Sequence, residues 1–195
     1  MRWLPYVLIL IGAGCSSRDT APKQAPVSLD NVPAQRTAEH WRLLADSLSL
    51  EKQQTILQKV LSIAEREGWA GAVRYCQAAA ETLTRYQTAQ IILRRVALRY
   101  RNPQNKLADS LDHLAYEHYA KTQSQESLLW ELPSGELRYY RPIYIQMPQC
   151  LKCHGKPEDL DGPALAQIRK YYPGDKARDF SIGDLRGLWK GTIRP

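Results

Sequence analysis

The chain has 195 residues, enough for one compact domain and a leader, and its formal net charge is +7. Apolar residues make up 44% of the chain, which excludes an intrinsically disordered protein. The basic residues form no run of five or six, so the charge does not indicate a nucleic-acid-binding surface, and we expect no nucleic-acid partner.

Residues 1–15 have the layout of a secretory leader, with Arg2, an apolar stretch from Trp3 to Ile11, and then small residues. The stretch is too short to span a bilayer, which takes about 20 apolar residues. The closing Gly-Ala-Gly-Cys resembles a bacterial lipobox. We therefore predict a lipoprotein-type signal peptide that ends at a lipidated Cys15, with ordinary cleavage nearby as the alternative. The resemblance implies a lipid anchor on the periplasmic side, with the outer membrane favoured.

Residues 16–36 are polar, contain three prolines and show no apolar periodicity, so they are predicted to be a linker. A single domain should then occupy residues 37–195. Thr37 is a plausible helix N-cap, and Gly68 is a plausible stop for the helical pattern that follows. A second helix is predicted at about 70–84, with Cys76 on its buried face.

The rest of the domain mixes one helical stripe with strand-like segments. Leu107, Leu111, Leu114 and His118 share one stripe of a third predicted helix, at about 107–121. Helices followed by mostly antiparallel strands indicate an α+β fold with an antiparallel sheet. The remaining predicted elements are a strand within 90–100, a loop at 101–105, a hairpin formed by 128–132 and 136–147, a short helix at 163–171 and a final strand at 187–193.

Cys150, Cys153 and His154 form the C-x-x-C-H pattern of c-type haem attachment. Two thiols at this spacing can form thioethers with the two haem vinyl groups, and the next residue offers an imidazole to the iron. A thioredoxin-type pair would need a βαβ context, which is absent from the pattern. A zinc site would have to recruit Cys76 and His118, which is a looser match. The sequence therefore predicts one covalent haem c, with His154 as the proximal iron ligand.

The residues alone do not decide which group binds the opposite face of the iron. Met147 is too near the attachment motif to cross the ring easily, which argues against an ordinary His/Met electron carrier. His118 and Cys76 are the leading candidates, and an open coordination site is the third possibility. Burial alone could explain Cys76, but a free thiol is a hazard in an oxidising compartment, and coordination would protect it.

Six stretches between about Thr37 and Pro195 carry a resemblance to known proteins. They are Ala72-Val73-Arg74-Tyr75-Cys76, Arg101-Asn102-Pro103-Gln104-Asn105, Tyr140-Arg141-Pro142-Ile143, residues 150–155, Tyr172-Pro173-Gly174-Asp175-Lys176-Ala177 and Gly183-Asp184-Leu185-Arg186-Gly187. Together these stretches resemble a family of small exported bacterial haem proteins and sensor input modules with one c-type haem. The resemblance implies a PAS-like fold, with Cys76 as the distal iron ligand.

Arg101 and Arg141 are candidate partners of the haem propionates, because a guanidinium can bind a carboxylate in a bidentate manner. Ordinary surface charges are the alternative interpretation. The leading functional hypothesis is a redox or small-gas sensing module that acts with a periplasmic redox or signalling partner, and the alternative is a periplasmic electron-transfer cytochrome. An enzymatic role, peroxidase-like or reductase-like, is the weakest, since no catalytic pair, nucleophile elbow or phosphate loop is evident.

Overall fold

The computed structural model describes residues 37–195, except the side chains of Ala80 and Glu81. The predicted signal peptide, its lipidated Cys15 and the linker 16–36 lie outside the described residues. Within residues 37–195, no helix is both long and apolar enough to cross a bilayer.

Helix α1 (Ala38–Thr84) begins at the predicted N-cap, where the Thr37 hydroxyl accepts a hydrogen bond from the amide of His40 at 3.2 Å. The helix is broken at Gly68, whose φ of 70° and ψ of 174° lie in a region open almost only to glycine. The predicted stop at Gly68 and the second helix after it are therefore confirmed. Trp41, Ala45 and Ile56 are buried on the first half of α1 and pack on the sheet.

Five antiparallel strands form one sheet in the order β1-β2-β5-β4-β3. The strands are β1 (Arg85–Gln87), β2 (Ile91–Val96), β3 (Leu128–Glu131), β4 (Leu137–Tyr144) and β5 (Leu185–Ile193). The predicted α+β class with an antiparallel sheet is confirmed, and the arrangement is consistent with a PAS-like fold. The short edge strand β1 was not predicted, because three exposed or half-buried residues carry no readable alternation.

The three other helices are α2 (Ser110–Thr122), α3 (Pro148–His154) and α4 (Gly162–Tyr171), and a 3-10 turn covers Pro103–Asn105. Helix α1 covers one sheet face, where Leu93, Tyr139 and Trp189 are buried. Helix α2 covers the other face, where its Ala115 and Tyr119 pack on Tyr140 and Leu188 of the sheet. The sheet therefore carries a core on both faces.

The stripe predicted for the third helix is wrong in part: Leu107 is buried just before α2 and Leu111 packs against the same core, but Leu114 does not. Leu114 is 56% exposed, whereas Asp112, Ala115 and Tyr119 form the buried face of α2. Asp112 is buried because it is fully paired: its carboxylate lies 2.7 Å from Lys190 Nζ and accepts a 2.7 Å hydrogen bond from the Tyr140 hydroxyl. Because Asp112 is polar, the apolar pattern did not mark it as a buried position, and the predicted stripe was displaced from the true buried face by a fraction of a turn.

Candidate cofactor site

Helix α3 carries the C-x-x-C-H motif. Pro148 is its first residue, where a missing amide hydrogen costs nothing, and Cys150 and Cys153 are three residues apart and so lie on one side of the helix. The helix stops at Gly155, where a Cβ atom would lie 2.8 Å from the carbonyl oxygen of Leu151 and 2.6 Å from the Cβ of Asp159. The close packing after the motif therefore needs glycine at this position.

The motif opens into a cavity between α1, α3 and the sheet, with about 910 Å³ of empty space, part of which is open to solvent. Cys150, Cys153 and His154 line one part of the wall, and Cys76, from the second half of α1, lines another. The structure thus brings together the four metal-site and attachment residues predicted in the domain.

The ring of His154 is oriented by a hydrogen bond from its Nδ1 to the carbonyl oxygen of Ala177, at 2.9 Å. Arg101 Nη2 lies 3.4 Å from the same nitrogen, but the shorter contact is to an acceptor, so we place the proton on Nδ1. The other ring nitrogen, Nε2, then keeps a free lone pair. Burial, and next the charge of Arg101, hold the pKa of His154 well below its usual value. The ring is therefore neutral, with a lone pair on Nε2.

A loop at residues 172–180 fixes the positions of His154 and Arg101. The Asp175 carboxylate pairs with Arg101 at 3.2 Å and accepts a hydrogen bond from the Ala177 amide at 2.9 Å. Arg101 also donates to the carbonyl oxygen of Cys153. The amide of Phe180 donates to the His154 carbonyl oxygen at 3.0 Å. The guanidinium of Arg101 is thus fixed by Asp175 and by the Cys153 carbonyl oxygen, next to His154.

The three cysteines at the cavity are free and half-buried. Burial raises the pKa of Cys76, while the charges of Arg101 and Arg95 oppose that effect. Burial likewise raises the pKa of Cys153 to about 11. Cys153 packs near Val73 and Ile168, so α1, α3 and α4 meet around it. Cys76 and Cys153 are therefore protonated at neutral pH in the absence of a metal or a covalent partner.

The other predicted candidates lie elsewhere. Arg141 does not line the cavity; its guanidinium lies 3.1 Å from Asp46. His118 stacks edge-on against Tyr119 on α2, and Met147 precedes α3 without lining the cavity. Within residues 37–195, no three His, Cys, Asp or Glu side chains are grouped closely enough to hold a bare metal ion. The zinc alternative therefore has no support.

Two cavity residues were missed by the sequence reasoning, namely Arg95 on β2 and Arg186 on β5. Burial, together with the nearby charges of Arg95 and Arg101, lowers the pKa of Arg186 to about 9. Burial also lowers the pKa of Arg95. The available signal was a pair of adjacent arginines, Arg94 and Arg95, inside a strand that is otherwise apolar, between Leu93 and Val96, which are both buried.

The side chains that line the cavity provide donor atoms suited to a haem. Two thiols at attachment spacing stand beside an imidazole with a free nitrogen, a third thiol comes from another element, and Leu57, Val60 and Ile143 provide an apolar wall. Imidazole and thiolate are both axial ligands of haem iron in proteins. The residues present therefore fit this group.

The fold and the cavity define a single-domain α+β protein with a cofactor-type pocket lined by cysteines and a histidine. The chain belongs to the Tll0287-like family, whose model matches residues 21–194. It is also similar to the crystal structure of the cyanobacterial heme-protein Tll0287, with 24% identity and a TM-score of 0.51, over 75% of this chain and 92% of that chain. At this identity, the likeness shows the shared fold. A search of curated proteins finds no match.

Proposed function

We propose that this protein binds one haem c covalently through Cys150 and Cys153, with His154 as the proximal and Cys76 as the distal iron ligand. The observation that carries the proposal is the free Nε2 of His154, in a cavity that also holds these three thiols. The structural relative Tll0287 is a heme-protein, which supports the same cofactor here. The bound group would supply one-electron iron chemistry, which the side chains themselves lack.

The leading role is a redox or small-gas sensing module. Cys76 lies on the part of α1 that follows the break at Gly68, so the segment that carries this thiol is joined to the rest of α1 by a glycine. Burial raises the pKa of Cys76, so the side chain would take up a proton once released from a metal. Release of Cys76 would then free its helical segment, and a partner protein would respond to that movement.

Electron transfer is the second candidate, and the support behind His154 favours it. The ring is held by Ala177, and the backbone beside it by Arg101 and Phe180. A ligand held this firmly changes position little when charge moves, which suits electron exchange. The two roles differ in whether Cys76 remains a ligand after one-electron reduction. We propose no enzymatic activity.

We place the protein on the periplasmic side of a bacterial membrane, anchored by lipid at Cys15, with residues 16–36 as a linker and the outer membrane favoured. This location supports the cofactor proposal, because c-type attachment takes place outside the cytoplasm. It would also bring the domain near periplasmic redox or signalling partners. Labelling with radioactive palmitate, with Cys15→Ala as the control, would test the anchor.

The cofactor is tested by producing the protein with c-type maturation machinery and extracting the denatured product with acidified organic solvent. We expect the pigment of the wild type to stay with the polypeptide. A variant with both Cys150→Ala and Cys153→Ala should release it, because the thioethers are absent. Cys76→Ala should retain the pigment, since this thiol is not an attachment site. Extraction of the wild-type pigment, or the absence of a Soret band, would contradict the proposal.

Electron paramagnetic resonance and ultraviolet–visible spectra of the same samples test Cys76. The ferric wild type should give a low-spin thiolate signature, and Cys76→Ala should lose it. Low-spin ferrous haem gives no electron paramagnetic resonance signal, so the reduced state is read from the absorption spectrum. A reduced spectrum of six-coordinate iron that still depends on Cys76 would favour electron transfer over sensing. Identical ferric spectra for the wild type and Cys76→Ala would show that another group is the distal ligand.

A further inference from the structure

The cavity carries more positive than negative charge. Three arginines line it, namely Arg95, Arg101 and Arg186, and no Asp or Glu with a described side chain does. Asp175 lies behind the wall and neutralises Arg101, with a 3.2 Å contact to its Nε and a 3.3 Å contact to its Nη2. Two positive charges are left over, those of Arg95 and Arg186.

Neither of these two guanidinium groups forms an ion pair with any carboxylate whose placement the structure describes. Arg186 donates one hydrogen bond from Nη1 to the Arg99 carbonyl oxygen at 3.1 Å, while its Nε is buried and has no hydrogen-bond partner. Burying a charge without a partner is unfavourable. Two such charges at one cavity are therefore expected to bind an anionic ligand.

Arg95 is directed towards the cavity by the register of the sheet. It is paired with Trp189 of β5, on the face that α1 covers, whereas the preceding Arg94 is paired with Lys190 and points to the opposite face. Arg186 is at the start of the same strand β5 and lines the same cavity. Two neighbouring strands thus present one guanidinium each to one space.

We propose that Arg95 and Arg186 bind the two propionate carboxylates of the haem, in place of the predicted pair Arg101 and Arg141. The inference rests on the proposed function and adds the residues that recognise the anionic edge of the cofactor. Two unpaired guanidinium groups match two carboxylates in charge, and each can form a bidentate, charge-assisted contact. Arg101 is already committed to Asp175, and Arg141 is committed to Asp46.

The test compares haem with haem dimethyl ester, in which both carboxylates are esterified and uncharged. The full chain with Cys150→Ala and Cys153→Ala serves as the parent, so that binding is non-covalent and reversible. Arg95→Gln and Arg186→Gln are introduced into it, with Arg94→Gln as the matched control on the opposite face. Each dissociation constant is measured from the Soret band, and circular dichroism reports whether each variant is folded.

The parent should prefer haem over the ester by at least about tenfold, the size of one charge-assisted hydrogen bond. Arg95→Gln and Arg186→Gln should each lower haem affinity by a similar factor and leave ester affinity unchanged, whereas Arg94→Gln should change neither. Equal affinity of the parent for both ligands would overturn the inference, and so would equal losses for both ligands in the arginine variants. Neither outcome would contradict the proposed haem function. If the parent bound neither ligand, the proposed haem function would fail with it.

The covalent holoprotein provides a second measurement that does not depend on reversible binding. There, Arg95→Gln and Arg186→Gln should lower the midpoint potential, because loss of a nearby positive charge favours the ferric state, and they should shift the propionate bending bands in the resonance Raman spectrum. Arg94→Gln should leave both readouts at the wild-type values. Unchanged propionate bands in both cavity variants would overturn the inference even if the potential moved.

Discussion

Nδ1 of His154 lies 2.9 Å from the carbonyl oxygen of Ala177, a residue 23 positions further along the chain. The contact selects the ring tautomer that leaves Nε2 free, and hydrogen bonds of this kind raise the basicity of a metal-binding histidine. Ala177 is held in turn by Asp175, which also pairs with Arg101. The loop at residues 172–180 therefore orients the proposed proximal ligand.

Asp175→Asn should destabilise the domain by about 3 kcal/mol, because it leaves Arg101 largely buried without its partner charge. Urea unfolding followed by circular dichroism measures the change in the free energy of unfolding. Glu117→Gln is the control, since it removes a carboxylate from an exposed pair with Lys121 and should change stability by less than about 0.5 kcal/mol. Equal changes in the two variants would contradict this account of the loop.

Gly155→Ala should destabilise the domain by about 1–3 kcal/mol, because the added methyl group overlaps the Leu151 carbonyl oxygen and Asp159. The contact with backbone cannot be relieved by a side-chain rotation. Gly162→Ala is the matched control, since a Cβ atom there meets nothing within 4 Å. The control should be neutral or slightly stabilising, and thermal unfolding of both variants separates the two outcomes. A neutral Gly155→Ala would show that the chain can shift at this point.

Gly68→Ala should lower the free energy of unfolding by about 1–3 kcal/mol, because its backbone conformation strains any residue with a Cβ atom. Space is not the cause, since a Cβ at Gly68 meets nothing within 4 Å. The comparison with Gly162→Ala thus isolates backbone strain from the general effect of replacing glycine. Denaturant unfolding of both variants gives the difference. A stabilised Gly68→Ala variant would mean that α1 straightens without penalty.

Asp109→Asn should reduce stability at neutral pH by about 1 kcal/mol, a modest value because the Asp109 side chain is 41% exposed. Burial alone would raise the pKa of Asp109, but hydrogen bonds from the Asp112 amide, Lys190 and Arg138 outweigh it and hold the pKa well below its usual range. Asparagine keeps the cap of α2, so the variant removes only the charge.

Because the folded-state pKa of Asp109 is lower than that of the unfolded chain, its contribution is complete above the unfolded value of about 3.9 and is lost as the pH falls below it. The stability difference between wild type and Asp109→Asn should therefore shrink in urea titrations below about pH 4. The exposed Glu158→Gln variant serves as the control and should show no such trend. A difference that is independent of pH would contradict the ion-pair explanation.

Local features of the chain determined much of what could be predicted. The C-x-x-C-H motif at 150–154, the stop at Gly68 and the hairpin between β3 and β4 are set by residues close in sequence. The α+β class followed from the order of these segments. Apolar periodicity failed on α2, where a buried and paired Asp112 stands at a core position.

The tertiary structure alone decided which side chains share the cavity. Arg95 and Arg186 meet there because β2 pairs with β5 in a particular register, and Arg141, on the same sheet face, pairs with Asp46 instead. The contact between His154 and Ala177 depends on a loop that returns past α4. Such placements depend on strand pairing and chain return over tens of residues, and no local pattern of amino acids encodes them.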